Sequence, residues 1–185
     1  MITTKDAKLL FESARASIKG ETFSKKMPKS LDEVHGIFVT LMTYPSEELR
    51  GCVGYPQTEL KLSEAVKEVA YSAAYEDTRF SPLGKDEVDN VILEISILSM
   101  SEPCSLKQIE PGKDGVILKK GIFSALFLPQ VWEHFSTKEK FLEALCQKAG
   151  LLPDSWKGKD VVFLKFNVIA FKEKKPDGGI FKVEL

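Results

Sequence analysis

The chain predicts an α+β fold, a largely antiparallel sheet with flanking helices, and three observations carry that prediction. Residues 36–43 are β-branched and aromatic, and a short turn separates them from a second extended segment at 49–54, the pattern of a hairpin. Residues 91–98 set Val91, Leu93, Ile95 and Ile97 on one face and Glu94 and Ser96 on the other, as a half-buried strand does. Helical patterns fall between groups of strands and not after every strand, which argues against a doubly wound parallel sheet.

Each element follows from local pattern. Residues 4–18 carry Leu9, Leu10, Ala14 and Ile18 at helical spacing, and Gly20 ends the run. A polar loop through Lys25, Lys26, Pro28 and Lys29 leads to the hairpin, whose turn lies at Pro45 to Glu48. Ser63 is placed to cap a helix over 64–75, where Ala65, Val66, Val69, Ala70 and Ala73 form one apolar stripe. Runs at 115–119 and 122–128 flank Lys120-Gly121 and predict a second hairpin, while Cys104 falls in a loop after Pro103. Ser136 with Glu139 makes a capping box for a helix carrying Phe141, Leu142, Leu145, Cys146 and Ala149, stopped by Gly150. Residues 161–171 form the longest strand candidate, with every even position from Val162 to Ala170 apolar. Lys172 to Lys175 read as a solvated strand end, followed by a turn at Pro176 to Gly179 and a short last strand.

Composition narrows the function classes. At 185 residues, with 43% hydrophobic and 29% charged side chains, the chain suits one sizeable domain. A formal net charge of −1 supplies no global field for a phosphate backbone, so nucleic-acid binding is disfavoured. No stretch has the length and apolarity of a membrane span, and the polar start lacks a signal-peptide core. Three widely spaced cysteines and two histidines offer neither a disulfide framework nor a metal site, and no glycine-rich phosphate loop implies a cofactor. The expectation is a cytoplasmic protein with reduced thiols.

The segment Leu49-Arg50-Gly51-Cys52-Val53-Gly54 is the strongest functional signal. In extended chain, Arg50 and Cys52 project to the same side. A guanidinium near a thiol favours the thiolate, which is the nucleophile. Gly51 and Gly54 would let a ligand approach the backbone, whose N–H groups could meet a developing oxyanion. The competing reading is a small residue in a tight strand, with Arg50 paired for structure. Downstream, Asp77 is placed to pair with Arg50 or with Arg79, fixing either beside the cysteine. His35 and His134 read as ordinary histidines, so no Cys-His dyad is asserted.

Together these segments resemble the AMMECR1 family across nearly the whole chain. The carrying residues are the hexapeptide, Ala73 to Phe80, Leu93 to Ser99, Gly112 to Gly115, Leu128 to Val131, and Lys148 to Leu151 with Trp156. The chain departs from the family at Val53, often isoleucine, and at Thr78, usually proline. Asp114 matches the archaeal and bacterial branch, where animal members have histidine. The resemblance implies a single domain over residues 1–185, with a larger and a smaller lobe and a cleft between them. It implies no established activity, but marks Cys52 as the residue on which an enzymatic role would turn. The leading expectation is acyl or alkyl transfer to a small molecule by Cys52, with Arg50, Gly51, Gly54, Asp77 and Arg79 contacting or orienting substrate. The alternative is a non-catalytic module that binds a protein partner.

Overall fold

The computed structural model describes residues 2–184. The chain divides into two units, the first formed by residues up to Leu98 together with Ile169–Glu184, the second by Ser99–Val168.

In the first unit, helix α1 spans Thr4–Lys19. Thr3 and Asp6 close a capping box at its start, and Gly20, at φ 69°, ends it in the left-handed conformation. Strand β1 (Gly36–Thr43) pairs antiparallel with β2 (Leu49–Tyr55), the predicted hairpin. Helix α2 (Leu62–Tyr75) begins two residues before the expected start, with Lys61 in the capping position and Ser63 already inside the first turn. The Leu62 N–H finds its acceptor in the Glu33 carbonyl, so a side-chain cap is dispensable there. A single helical turn, α3 (Lys85–Val88), precedes β3 (Val91–Leu98). Two late strands, β8 (Val168–Glu173) and β9 (Ile180–Lys182), complete a sheet of order β2-β1-β3-β8-β9. Ile37, Val39 and Leu41 of β1 and Leu93, Ile95 and Ile97 of β3 share a core with the apolar faces of α1 and α2.

Three expectations fail here for identifiable reasons. β3 is the central strand, and Ile92, Ser96 and Leu98 are buried as well as the opposite face, so it is not half-buried. The run 161–171 is two strands, β7 (Val162–Phe166) and β8, because the chain changes sheet at Asn167 while its apolar alternation continues. The Lys172 to Lys175 segment is a solvated end only at Lys174 and Lys175, since Glu173 is 3% exposed. Glu173 meets Arg15, itself 5% exposed, accepting from its Nε and one terminal nitrogen. Arg15 also donates to the Val88 and Val91 carbonyls, and Glu173 accepts from the Leu93 N–H at 2.8 Å. The pair thereby ties α1 to β3 and β8.

The second unit holds a four-stranded antiparallel sheet of order β4-β7-β5-β6, in which β4 is Glu102–Cys104, β5 Gly115–Lys120 and β6 Phe123–Phe127. Cys104 thus lies in an edge strand paired with Phe163, not in a loop. Helix α4 (Lys138–Lys148) is capped by Thr137, one residue beyond the expected Ser136. Its Phe141 stacks on Trp132 at 3.5 Å between ring centroids, and the Trp132 indole N–H donates to the Asp114 carbonyl. No helix among the described residues is long and apolar enough to cross a membrane.

Candidate functional site

The hairpin register sets Cys52 opposite Thr40, and β3 sets Glu94 on the other side of Thr40. Because Val39 and Leu41 face the α1–α2 core, the row Cys52, Thr40, Glu94 lies on the opposite face of the sheet. The Thr40 hydroxyl donates to the Cys52 sulfur at 3.3 Å. Burial pushes the Glu94 carboxyl above its ordinary range, against a downward pull from Lys172.

Strand β2 is a sheet edge, so the backbone of Cys52 points outward and needs partners. Asp77, in the loop after α2, accepts from the Cys52 N–H at 2.8 Å. Arg79 donates to the Cys52 carbonyl at 3.0 Å and to Asp77 from two nitrogens at 2.9 and 2.7 Å. The two side chains act as one clamp on the backbone of one residue of the edge strand, Cys52. The Arg79 guanidinium, followed by the Cys52 and Arg79 N–H donors, holds the Asp77 carboxyl well below the usual carboxylate range. Of the two partners open to Asp77, the fold selects Arg79.

Arg50 lies elsewhere. Its Nε and one terminal nitrogen grip Glu87 at 2.8 and 2.9 Å, and the other donates to the Ser81 carbonyl. The cation beside the cysteine backbone is therefore Arg79, and Arg50 fastens β2 to the start of α3. The glycines also differ from expectation. A Cβ at Gly51 would stand 2.1 Å from the Ala73 carbonyl oxygen, and one at Gly54 2.1 Å from the Phe38 ring. Both give room to the protein's own packing, not to a ligand. The Cys52 N–H, an expected oxyanion donor, is taken by Asp77.

The clamp predicts an acid response. A folded-state pKa below the ordinary 3.8 means that the Asp77 contribution is whole above that value and is lost as pH falls through the folded one. Asp77→Asn should cost about 1.5–3 kcal/mol at neutral pH, the range for a charge-assisted hydrogen bond, and progressively less as pH falls below 3.8. Urea midpoints of the two proteins at pH 7 and pH 2 check this: the difference should narrow at pH 2, and an equal loss at both pH values would contradict it.

A family model described as AMMECR1 matches residues 8–171. The chain belongs to the AMMECR1 family. It is 37% identical over 198 residues to Protein MJ0810 of Methanocaldococcus jannaschii, covering 100% of this chain and 98% of that one. Protein TV1384 of Thermoplasma volcanium is 39% identical, with 90% of this chain and 89% of the relative covered. The crystal structure of the uncharacterized protein PH0010 from Pyrococcus horikoshii superposes with a TM-score of 0.90 at 36% identity, covering 100% of this chain and 99% of that one. The α+β fold is shared with that structure, and the relatives named here are archaeal.

Within this AMMECR1 chain, Thr40, Glu87 and Glu94 escaped the reading of the sequence. Alternation along 91–98 placed Glu94 off the face of Val91, Leu93, Ile95 and Ile97, and pairing the hairpin strands could have put Thr40 opposite Cys52. No local signal marks Glu87 as the partner of Arg50, 37 residues away.

Proposed function

We propose that this chain is a small-molecule enzyme in which the Cys52 thiolate attacks an electrophilic carbon in acyl or alkyl transfer. The sulfur gives an electron pair to that carbon, and the bond to the leaving group breaks with its pair going to the leaving group. The observation that carries the reading is the Thr40 hydroxyl directed at a half-buried sulfur. The hydroxyl gives the sulfur a polar partner on the sheet face away from the core. Arg79, whose side chain is 56% exposed, supplies a positive charge beside the cysteine for an anionic substrate group. Arg50 and the glycines then hold β2 in place, and Glu94 stands at the end of the row as a proton donor for the leaving group.

Alkylation tests this. Burial pushes the Cys104 and Cys146 thiols above their ordinary value, which slows both. Brief exposure to iodoacetamide at pH 7.5–8, followed by peptide mass spectrometry, should label Cys52 about tenfold faster than either. Equal rates would remove the catalytic role.

A second reading, a protein-binding module with an architectural hexapeptide, draws on the occupied Arg50, Gly51 and Gly54. Normal metabolite levels in a strain carrying Cys52→Ser would favour it.

A further inference from the structure

Residues 38, 40 and 42 of β1 and residues 52 and 54 of β2 point away from the helical core, because side chains alternate along a strand. The register sets Phe38 opposite Gly54, two residues beyond Cys52. A Cβ at Gly54 would lie 2.1 Å from Cδ1 of Phe38, 2.3 Å from Cγ and 2.6 Å from Cε1. Three successive ring atoms at that range mean that the ring is laid across β2, in space that only a glycine leaves open. Same-face positions on a strand are about 6.6 Å apart, so the ring lies one such step from the cysteine position.

This ring does not serve a core. Phe38 and Met42 are half-buried, and neither joins the two hydrophobic cores among the described residues. They stand on either side of Thr40, whose hydroxyl meets the Cys52 sulfur at 3.3 Å. The nucleophile is thus flanked by an aromatic ring and a thioether, both of which take an aromatic ring as a favourable partner. Arg79 supplies a second attachment. Its Nε and one terminal nitrogen are held by Asp77 and the Cys52 carbonyl, and the other terminal nitrogen has no partner among the described residues.

We propose that the group taken up by Cys52 is aromatic and that Phe38 selects it by stacking, so that the substrate is an aromatic acyl or arylmethyl donor with an anionic group. This rests on the reading of Cys52 as the nucleophile. The substrate ring lies on Phe38, its electrophilic carbon reaches the sulfur on a short arm, and the anion meets the free terminal nitrogen of Arg79. The sulfur electron pair makes the new S–C bond, and the leaving group departs with the pair of the bond that breaks. Phe38 sets specificity, and Gly54 is the positioning residue that lets its ring lie flat.

The probes are N-phenyl-2-iodoacetamide and N-cyclohexyl-2-iodoacetamide, alike in size but differing in aromaticity, with plain iodoacetamide beside them. Each rate at Cys52, read by peptide mass spectrometry, is divided by the rate of the same reagent with glutathione. The phenyl reagent should exceed the cyclohexyl one about fivefold, the factor that one aromatic pair supplies. Phe38→Leu should bring that ratio close to one, and Phe38→Tyr should keep it. Gly54→Ala, which pushes the ring aside, should lower it too, and serves as the weakening arm if Phe38→Leu does not fold. A ratio near one in the parent protein, or a ratio that survives Phe38→Leu, would overturn the assignment and leave the ring as a cover for Gly54 alone. Slow labelling of Cys52 by plain iodoacetamide would count instead against the nucleophile, and the phenyl-to-cyclohexyl ratio still reads the ring in that case.

Discussion

Replacing Arg15 with methionine should lower stability by about 3–5 kcal/mol at neutral pH, the usual cost of stranding one partner of a buried ion pair. Arg15 and Glu173 are 5% and 3% exposed, so water cannot take over the missing contacts. Burial already pushes the Glu173 carboxyl up despite the opposing pull of Arg15. Without that guanidinium the folded-state pKa rises further above the unfolded one. Stability tied to such a raised pKa is fully present below the unfolded value and is lost as pH climbs through the folded value. The Arg15→Met defect should therefore shrink as pH is lowered toward 4.5, the ordinary glutamate value. Adding Glu173→Gln removes the buried charge and keeps an acceptor for the Leu93 N–H, so the double variant should recover part of the loss. Recovery stays partial because the Val88 and Val91 carbonyls no longer receive their guanidinium donors. Urea titrations of the single and double variants at two pH values measure all of this. An unchanged midpoint for Arg15→Met at pH 7 would show that the pair contributes little.

Gly51→Ala is the second large effect. The added methyl would stand 2.1 Å from the Ala73 carbonyl oxygen and 3.2 Å from its carbon. Both are backbone atoms in the last turns of α2, so neither can swing aside. Either β2 lifts or α2 shifts, at a cost of about 3 kcal/mol, the upper part of the range for overpacking. Gly54→Ala has the same nominal clash, but the obstacle is the Phe38 ring, a side chain that can rotate. Its cost should be clearly smaller. The displacement at Gly51 has a chemical readout as well. Asp77 follows α2 by two residues and clamps the next peptide of β2. Moving the strand from the helix loosens that clamp, so the Cys52 alkylation rate should change in Gly51→Ala and stay near the parent rate in Gly54→Ala. Equal stability losses in the two variants would contradict the argument.

The contrast between these glycines and their first reading shows where local pattern stops being informative. Bare backbone on both sides of Cys52 announces a close approach, but not whether the approaching group is a ligand, a helix or a ring. Local pattern delimited β1 and β3 to the residue, through β-branched and aromatic composition over 36–43 and alternation over 91–98. Alternation also put Arg50 and Cys52 on one side of β2, but it could not foresee that the register shifts at this point, Leu41 facing Gly51 and Met42 facing Leu49. It could not say that Glu87 would capture Arg50 at a separation of 37 residues, or Glu173 capture Arg15 at 158. Those choices are made by the tertiary fold, where several carboxylates compete for each cation. Asp77 and Arg79 were legible because they are two residues apart in one loop. The passage from β7 to β8 was hidden for the opposite reason. Val162 to Ala170 keep one apolar alternation through Asn167, and only the partner strands change.

The first unit is interrupted by the second, and β8, the neighbour of its central strand, is made only after residue 168. On a ribosome, the inserted residues Ser99–Val168 are therefore complete while the outer sheet still lacks two strands and Arg15 still lacks its carboxylate. Vectorial synthesis thus favours the insert maturing first, with closure of the host sheet waiting for the last stretch of chain to emerge.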